Sequence, residues 1–235
     1  MQNNANHQLI ELYTNWLSEL KSIAPELLGN DYSNPYYTSI PENWFDTEQP
    51  RIMVVGEEGF GIWGMGKGAD SPIMADEIEI IQKANYDYLR TQLEIEKGEL
   101  NNSSFWRRFR RISKYGICCW TNIDKIHRLR DSNCSLSSKK RKLLHATGIK
   151  VLAEEINILN PTHIVFFGWY GLSLQHELPD VFKELYPKGL GDSSVWKNTV
   201  VPIEHGGRKY IFAYHPGYKT KAYEDKVLEV FCKTL

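Results

Sequence analysis

Short apolar segments that alternate with longer helix-like segments constrain the fold of this chain more than any other feature. The segments RIMVVG (51–56), GICCWTN (116–122) and HIVFFG (163–168) each have the length and composition of a buried strand. Apolar residues recur at helical spacing between them, most clearly over residues 6–22 and 139–158. Strands that alternate with helices predict a mostly parallel sheet between helical layers.

The segment TVVPIEHGGRKYIFAYH (199–215) has the pattern of two strands that are joined at HGG, the second of which ends at His215. The predicted fold class is α/β, a three-layer α/β/α sandwich with four strands assigned to the central, mostly parallel sheet. A single domain is expected over residues 1–235 because no linker is visible, with an N-terminal helix and a wrapping segment over residues 1–49. Further helices are predicted at 74–96, 103–114, 170–177, 180–186 and 220–233.

Composition and cysteine usage favour a cytoplasmic protein. Hydrophobic residues make up 42% of the chain and charged residues 24%, which is ordinary for a globular domain. None of the four cysteines belongs to a C-x-x-C motif, so we expect reduced thiols and no metal site. The N-terminal segment lacks the basic start and apolar run of a signal peptide, and no apolar stretch is long enough to span a bilayer. No membrane partner is therefore expected.

The charge of the chain is concentrated rather than large. The net charge is -1, but residues 107–142 contain twelve Lys and Arg residues against two Asp residues. Arg107, Arg108, Arg110 and Arg111 begin this basic segment. A near-neutral protein with one basic segment is a candidate binder of polyanions, with these arginines as phosphate contacts. A solvated helix surface would give the same pattern.

Four predicted strands end in distinctive residues. The strand exits carry Gly56-Glu57-Glu58, Asn122, Gly168-Trp169 and His215-Pro216. Ligands of parallel sheets bind outside the carboxyl ends of the strands. The coincidence of these residues at four such ends predicts an active site there.

Each motif also has a plainer explanation. The segment VVGEEGFGIWGMGKG (54–68) is neither a Walker A sequence nor a G-x-G-x-x-G fingerprint, and it would also suit a surface loop. An amide such as that of Asn122 can read the edge of a nucleobase, but it can equally end a strand. A histidine such as His215 can donate to a developing negative charge or act as a base, although a lone histidine is more often structural.

Taken in order, VVGEEGFG, CCWTN, IVFFGWYG and FAYHPGYK resemble the motifs of the uracil-DNA glycosylase superfamily. In that family the first strand ends in GQDPYH or GMNPG, and a middle strand ends in asparagine. A third strand closes with glycine, and the last ends in HPS followed by a loop that enters DNA. The resemblance covers roughly residues 50–233 and is closest in style to the single-strand-selective monofunctional branch. Gly59 stands where that family has proline, and Gly217 where it has serine.

The resemblance implies a role for each matching residue. Catalysis falls to Glu58, which would position the attacking water, and to His215, which would stabilise charge on the departing base. Base binding falls to Gly56, Glu57, Phe60, Trp63 and Asn122, with Phe60 or Trp63 stacking on the base. The loop of Gly217, Tyr218 and Lys219 would enter the DNA.

The function that the resemblance implies is base-excision DNA repair. The reaction is hydrolysis of the N-glycosidic bond of a flipped uracil or other damaged base, in single- or double-stranded DNA, by a monomer without cofactor or metal. Two alternatives stay open. One is an inactive relative that binds nucleic acid on the same fold, and the other is an enzyme that acts on free nucleosides or nucleotides.

Overall fold

The structure is a computed structural model that describes residues 2–29, 31–58, 75–93, 103–127, 137–168, 178–181, 199–214 and 220–235. Within these ranges the helices are α1 (Gln2–Ile23), α2 (Ala75–Leu93), α3 (Ser104–Ile112), α4 (Ser138–Leu159) and α5 (Lys221–Cys232). The strands are β1 (Arg51–Glu58), β2 (Ile117–Asp124), β3 (His163–Phe167), β4 (Val201–His205) and β5 (Arg208–Ala213). The helix predicted at 170–177 and most of the one at 180–186 lie outside the described residues.

The strands form one sheet in the order β2-β1-β3-β5-β4. β1 pairs in parallel with β2 and with β3, and β3 pairs in parallel with β5. β4 pairs antiparallel with β5. The prediction of an α/β fold with a mostly parallel sheet is confirmed. The sheet has five strands where four were predicted, because both strands of the C-terminal hairpin join it.

The hairpin between β4 and β5 turns on two glycines. Gly206 and Gly207 have φ angles of +57° and +75°, in the left-handed region that side chains disfavour. A two-residue hairpin loop with positive φ at both positions matches the twist of the strands it joins. β4 lies at the edge of the sheet and contains Pro202, which has no N–H to donate.

Helices cover both faces of the sheet. Alternate residues of β1 point in opposite directions, so Met53 and Val55 pack into a different apolar cluster from Ile52 and Val54. The first cluster contains the apolar residues of α1 and α4, and the second contains those of α3 and α5. This arrangement is consistent with a three-layer sandwich. None of the helices in the described ranges is both long and apolar enough to cross a membrane.

The segment after α1 covers the β2 edge of the sheet. The Ser33 N–H donates to the carbonyl of His127 (2.9 Å), and the Tyr36 N–H donates to that of Lys125 (2.7 Å). The Tyr36 hydroxyl donates to the carbonyl of Trp120 (2.9 Å), and its ring lies 4.4 Å from the Trp120 ring between centroids. These contacts hold residues 33–36 beside the carboxyl end of β2.

Candidate functional site at the carboxyl ends of the strands

Four parallel strands end at the same edge of the sheet, as the sequence predicted. Gly56 of β1 lies opposite Asn122 of β2, and two residues further on Glu58 lies opposite Asp124. The Gly168 N–H, directly after β3, donates to the carbonyl of Ala213 at the end of β5 (3.0 Å). The first two motifs are thus brought side by side.

Gly56 allows the side chains of Asn122 and Phe105 to pack directly against the backbone of β1. A Cβ atom at position 56 would lie 2.5 Å from Asn122 Oδ1 and 3.3 Å from the ring of Phe105. The first distance is shorter than any ordinary contact, so a side chain at position 56 would displace the Asn122 amide. Glycine at the exit of β1 is therefore required by the packing of Asn122 and Phe105.

Asn122 holds an amide in the interior with its NH2 group unsatisfied. Its side chain is 3% exposed, and Oδ1 accepts a hydrogen bond from the Trp120 indole N–H at 3.2 Å. Nδ2 has no hydrogen-bond partner among the residues that the structure describes. Since a buried donor without a partner costs about 1–3 kcal/mol, this amide is an unusual feature of a folded core.

A cavity of about 170 Å³ adjoins this amide. It lies between the carboxyl end of β2, helix α2 and the segment after α1. The residues that line it are Asn34, Pro35, Tyr36, Ile80, Ile81, Ala84, Asn85, Asn122, Asp124, Lys125 and His127. A cavity of about 150 Å³ can hold a benzene ring, so the space suits one six-membered ring. Its walls combine apolar side chains with a few polar ones, as ligand sites do.

A carboxylate–histidine pair lies at the rim of the same cavity. The Asp124 Oδ1 atom lies 2.9 Å from His145 Nδ1 of α4, with the two side chains 13% and 23% exposed. Asp124 is one of the residues that line the cavity. Its carboxylate is held in place from the α4 side by His145. Neither residue belongs to one of the four strand-end motifs of the sequence.

Arg108 departs from its predicted role as a phosphate contact because its side chain is only 2% exposed. Its Nε lies 3.4 Å from Glu224 Oε1 of α5, and its Nη1 donates to the carbonyl of Tyr214 at 3.4 Å. Burial lowers the pKa of Arg108, and the charge of Glu224 opposes that shift. Tyr214 is also fixed through its N–H, which donates to the Tyr223 hydroxyl at 2.8 Å. Arg108 therefore anchors the exit of β5, directly before His215.

The other three arginines occupy different places on α3. Arg107 is half-exposed and lies 3.9 Å from Glu224, whereas Arg111 forms an ion pair with Asp225 at 2.6 Å. Arg110 lines a second cleft of about 400 Å³ beside Gly116, at the amino end of β2. The four predicted phosphate contacts thus have different surroundings on the helix, and three of them, Arg107, Arg108 and Arg111, lie beside acidic residues of α5.

Several predicted site residues lie outside what the structure describes. They are Phe60, Trp63, His215, Gly217, Tyr218 and Lys219. Of Glu57 and Glu58, the structure describes only the backbone. Their assigned roles remain predictions.

The sequence carries a signal for part of the site beyond the four strand-end motifs. Trp120, Asn122 and Asp124 alternate along β2, so a polar exit on one side of the strand could have been inferred. No local pattern indicates His145, which reaches Asp124 only because α4 packs on the sheet.

Within the described ranges, no group of three or more metal-ligating side chains occurs. Burial raises the pKa of the Cys118 and Cys119 thiols.

No protein-family model matches this chain, and no curated protein was found to match it. The resemblance to uracil-DNA glycosylases therefore rests on the four strand-end motifs.

Proposed function

We propose that this protein hydrolyses the N-glycosidic bond of a base in DNA, on a fold of the uracil-DNA glycosylase type. The observation that carries the proposal is that Asn122 lines a cavity of about 170 Å³ and that its buried NH2 group has no hydrogen-bond partner among the described residues. A ring carbonyl that accepts this hydrogen bond would satisfy the amide. The position of Asn122, at the carboxyl end of a parallel strand, matches the position of the base-reading asparagine in the family motif.

The chemistry requires groups on both sides of the breaking bond. Positive charge develops on the sugar and negative charge on the departing base, so a carboxylate near the sugar and a donor near the base stabilise both. Glu58 would supply the carboxylate and position the water, and His215 would donate to the base oxygen. The base must first leave the DNA stack, which costs a few kcal/mol.

The anchored exit of β5 supports the role of His215. Tyr214, the preceding residue, is hydrogen-bonded through its carbonyl to Arg108 and through its N–H to Tyr223. The Tyr223 hydroxyl donates in turn to the Thr199 carbonyl at 2.9 Å. A catalytic side chain benefits from a backbone that is fixed immediately before it.

The test is a base-release assay on labelled oligonucleotides. The panel carries uracil, hypoxanthine, xanthine and oxidised pyrimidines, each in single- and double-stranded form. We expect release of one of these bases, and a loss of about 100-fold or more in His215→Ala, Glu58→Gln and Asn122→Ala. His7→Ala, on an exposed position of α1, is the matched control. Unchanged rates in all three site variants would refute the assigned roles.

A second candidate function is nucleic-acid binding without cleavage, and the arginines on the surface of α3 favour it. Binding of an unmodified oligonucleotide should weaken with salt, and each lost phosphate contact should reduce the slope of log K against log salt by about 1. Arg107→Gln and Arg110→Gln test this, with Lys21→Gln on α1 as the control. Retention of DNA without release of any base would favour this candidate.

A further inference from the structure

Asp124 and Asn122 line one cavity and carry complementary hydrogen-bonding groups. Both residues line it, and they lie two positions apart at the end of β2. The Asn122 amide accepts from Trp120 through Oδ1, which leaves its NH2 group as the donor. An ionised carboxylate accepts hydrogen bonds and donates none. The pair therefore suits a ring edge that carries a carbonyl beside an N–H group.

His145 fixes the acceptor of this pair. Its Nδ1 lies 2.9 Å from Asp124 Oδ1, so one carboxylate oxygen is engaged from the α4 side. A carboxylate has lone pairs on both oxygens, and the second oxygen can accept from a ligand while the first is held. An oriented carboxylate discriminates between ligands more sharply than a mobile one, because the lost hydrogen bond is not replaced by water.

We propose that Asp124, oriented by His145, determines specificity by accepting a hydrogen bond from the ring N–H of a six-membered lactam whose carbonyl accepts from Asn122. This inference rests on the proposed function for the placement of a base in the cavity. It adds a recognition residue that the family motifs do not assign. The volume of about 170 Å³ suits a single six-membered ring.

Two isomeric bases of equal atomic composition separate this contact from simple fit. 1-Ethyluracil keeps the N3–H group between its two carbonyls, and it carries its ethyl group where the sugar would be attached. 1,3-Dimethyluracil has no ring N–H group. Affinities are measured by calorimetric titration and by ligand-observed NMR. We expect the protein to bind 1-ethyluracil at least about fivefold more tightly, since the dimethyl compound leaves the largely enclosed Asp124 acceptor unpaired.

The variants assign the preference to named groups. Asp124→Ala should bring the ratio of the two affinities close to 1. Asp124→Asn, which replaces the alanine variant if that variant does not fold, should reduce the ratio. His145→Ala should reduce the ratio, and His145→Asn should restore it because its amide nitrogen lies near the position of Nδ1. Asp46→Ala, at an exposed position, should leave the ratio unchanged. A merely structural role would weaken both ligands equally and leave the ratio as it was.

Three results would overturn the proposal. They are equal affinities for both compounds in the unchanged protein, a preference that survives in both Asp124 variants, and no detectable binding of either compound. If His145→Ala keeps the same ratio of the two affinities as the unchanged protein, the positioning role of His145 is overturned. The assay measures binding of free bases, so it is independent of bond cleavage. Absence of base release together with a preference that depends on Asp124 would refute the glycosylase and retain the recognition.

Discussion

Thr121 and Asn122 are neighbours on β2, but their side chains enter two very different polar environments. The Thr121 hydroxyl donates to Glu155 Oε2 at 2.8 Å, and Lys125 Nζ lies 2.7 and 2.8 Å from the two Glu155 oxygens. Tyr13 donates to Glu155 Oε1 at 2.6 Å, and the Thr38 hydroxyl lies 2.9 Å from the same atom. We call these five residues, which are all at most 1% exposed, the Glu155 network.

The side chain of Asn122 lies on the other side of the strand. Its Oδ1 atom accepts a hydrogen bond from Trp120, whereas its Nδ2 atom has no partner among the described residues. None of the five side chains of the Glu155 network has a buried polar atom without a hydrogen-bond partner among the described residues. The difference separates two uses of buried polarity. Where every group is paired, the polar residues specify how α1, α4 and the sheet pack. Where one group is left open next to a cavity, we propose that the protein keeps a binding contact at a cost in stability.

The largest effect is expected from breaking the Glu155 network. Glu155→Gln leaves the Lys125 ammonium buried without a countercharge, which should reduce the free energy of unfolding by about 3–5 kcal/mol. Urea denaturation followed by circular dichroism measures this loss. Glu154→Gln, at the exposed neighbouring position, is the control. A loss below about 1 kcal/mol, on the scale of an exposed ion pair, would mean that the pair does not hold the packing together.

The next largest effect is expected where Gly56 meets Asn122. Gly56→Ala places a Cβ atom 2.5 Å from Asn122 Oδ1 and should destabilise the protein by about 1–3 kcal/mol through overpacking. Because the amide must move, binding of 1-ethyluracil should weaken as well. Thermal unfolding and titration measure the two effects. Retention of both stability and binding would show that the amide position is not constrained.

The comparison itself is tested by two near-isosteric substitutions. Thr121→Val should cost about 1–3 kcal/mol, because it leaves charged partners unsatisfied. Asn122→Leu should cost less than about 1 kcal/mol, because it removes an unsatisfied NH2 group while Trp120 loses an acceptor. Urea denaturation of both variants gives the order. The reverse order would contradict the distinction between the closed network and the open amide.

The smallest effect concerns pH. Burial lowers the pKa of His127, which lines the cavity. The neutral form is favoured in the fold, so its contribution to stability is complete above the unfolded pKa of about 6.5. The contribution is lost as the pH falls through the lower folded value. The stability lost between pH 7.5 and pH 5 should therefore be smaller in His127→Gln than in the unchanged protein. An equal loss in both proteins would contradict this linkage.

The sequence was sufficient for the sheet and for part of the site. Apolar runs that end in glycine or a polar residue located β1, β2 and β3, and they placed Gly56 and Asn122 at the same edge. The β4 strand was harder to assign to the sheet, because its alternating, half-exposed pattern is shared by hairpins that project from a fold.

Arg108 shows where charge counting misleads. It was grouped with its neighbours as a phosphate contact, yet it falls at the helical spacing of Phe105 and Ile112, towards the apolar side of α3. Periodicity could have separated it from Arg107 and Arg111. The cavity and the Asp124–His145 pair could not be predicted, because they depend on how α2 and α4 pack against the end of β2.

The two edges of the sheet also restrict how this protein can associate with others. At one edge, residues 33–36 occupy the backbone groups that follow β2, and at the other, Pro202 interrupts the donors of the short strand β4. Within the described residues, both features interrupt the ladder that an incoming extended peptide would need, which disfavours β-augmentation and edge-to-edge aggregation. Contacts with a partner would then have to come from side chains at the strand ends and on the helices of this part of the chain.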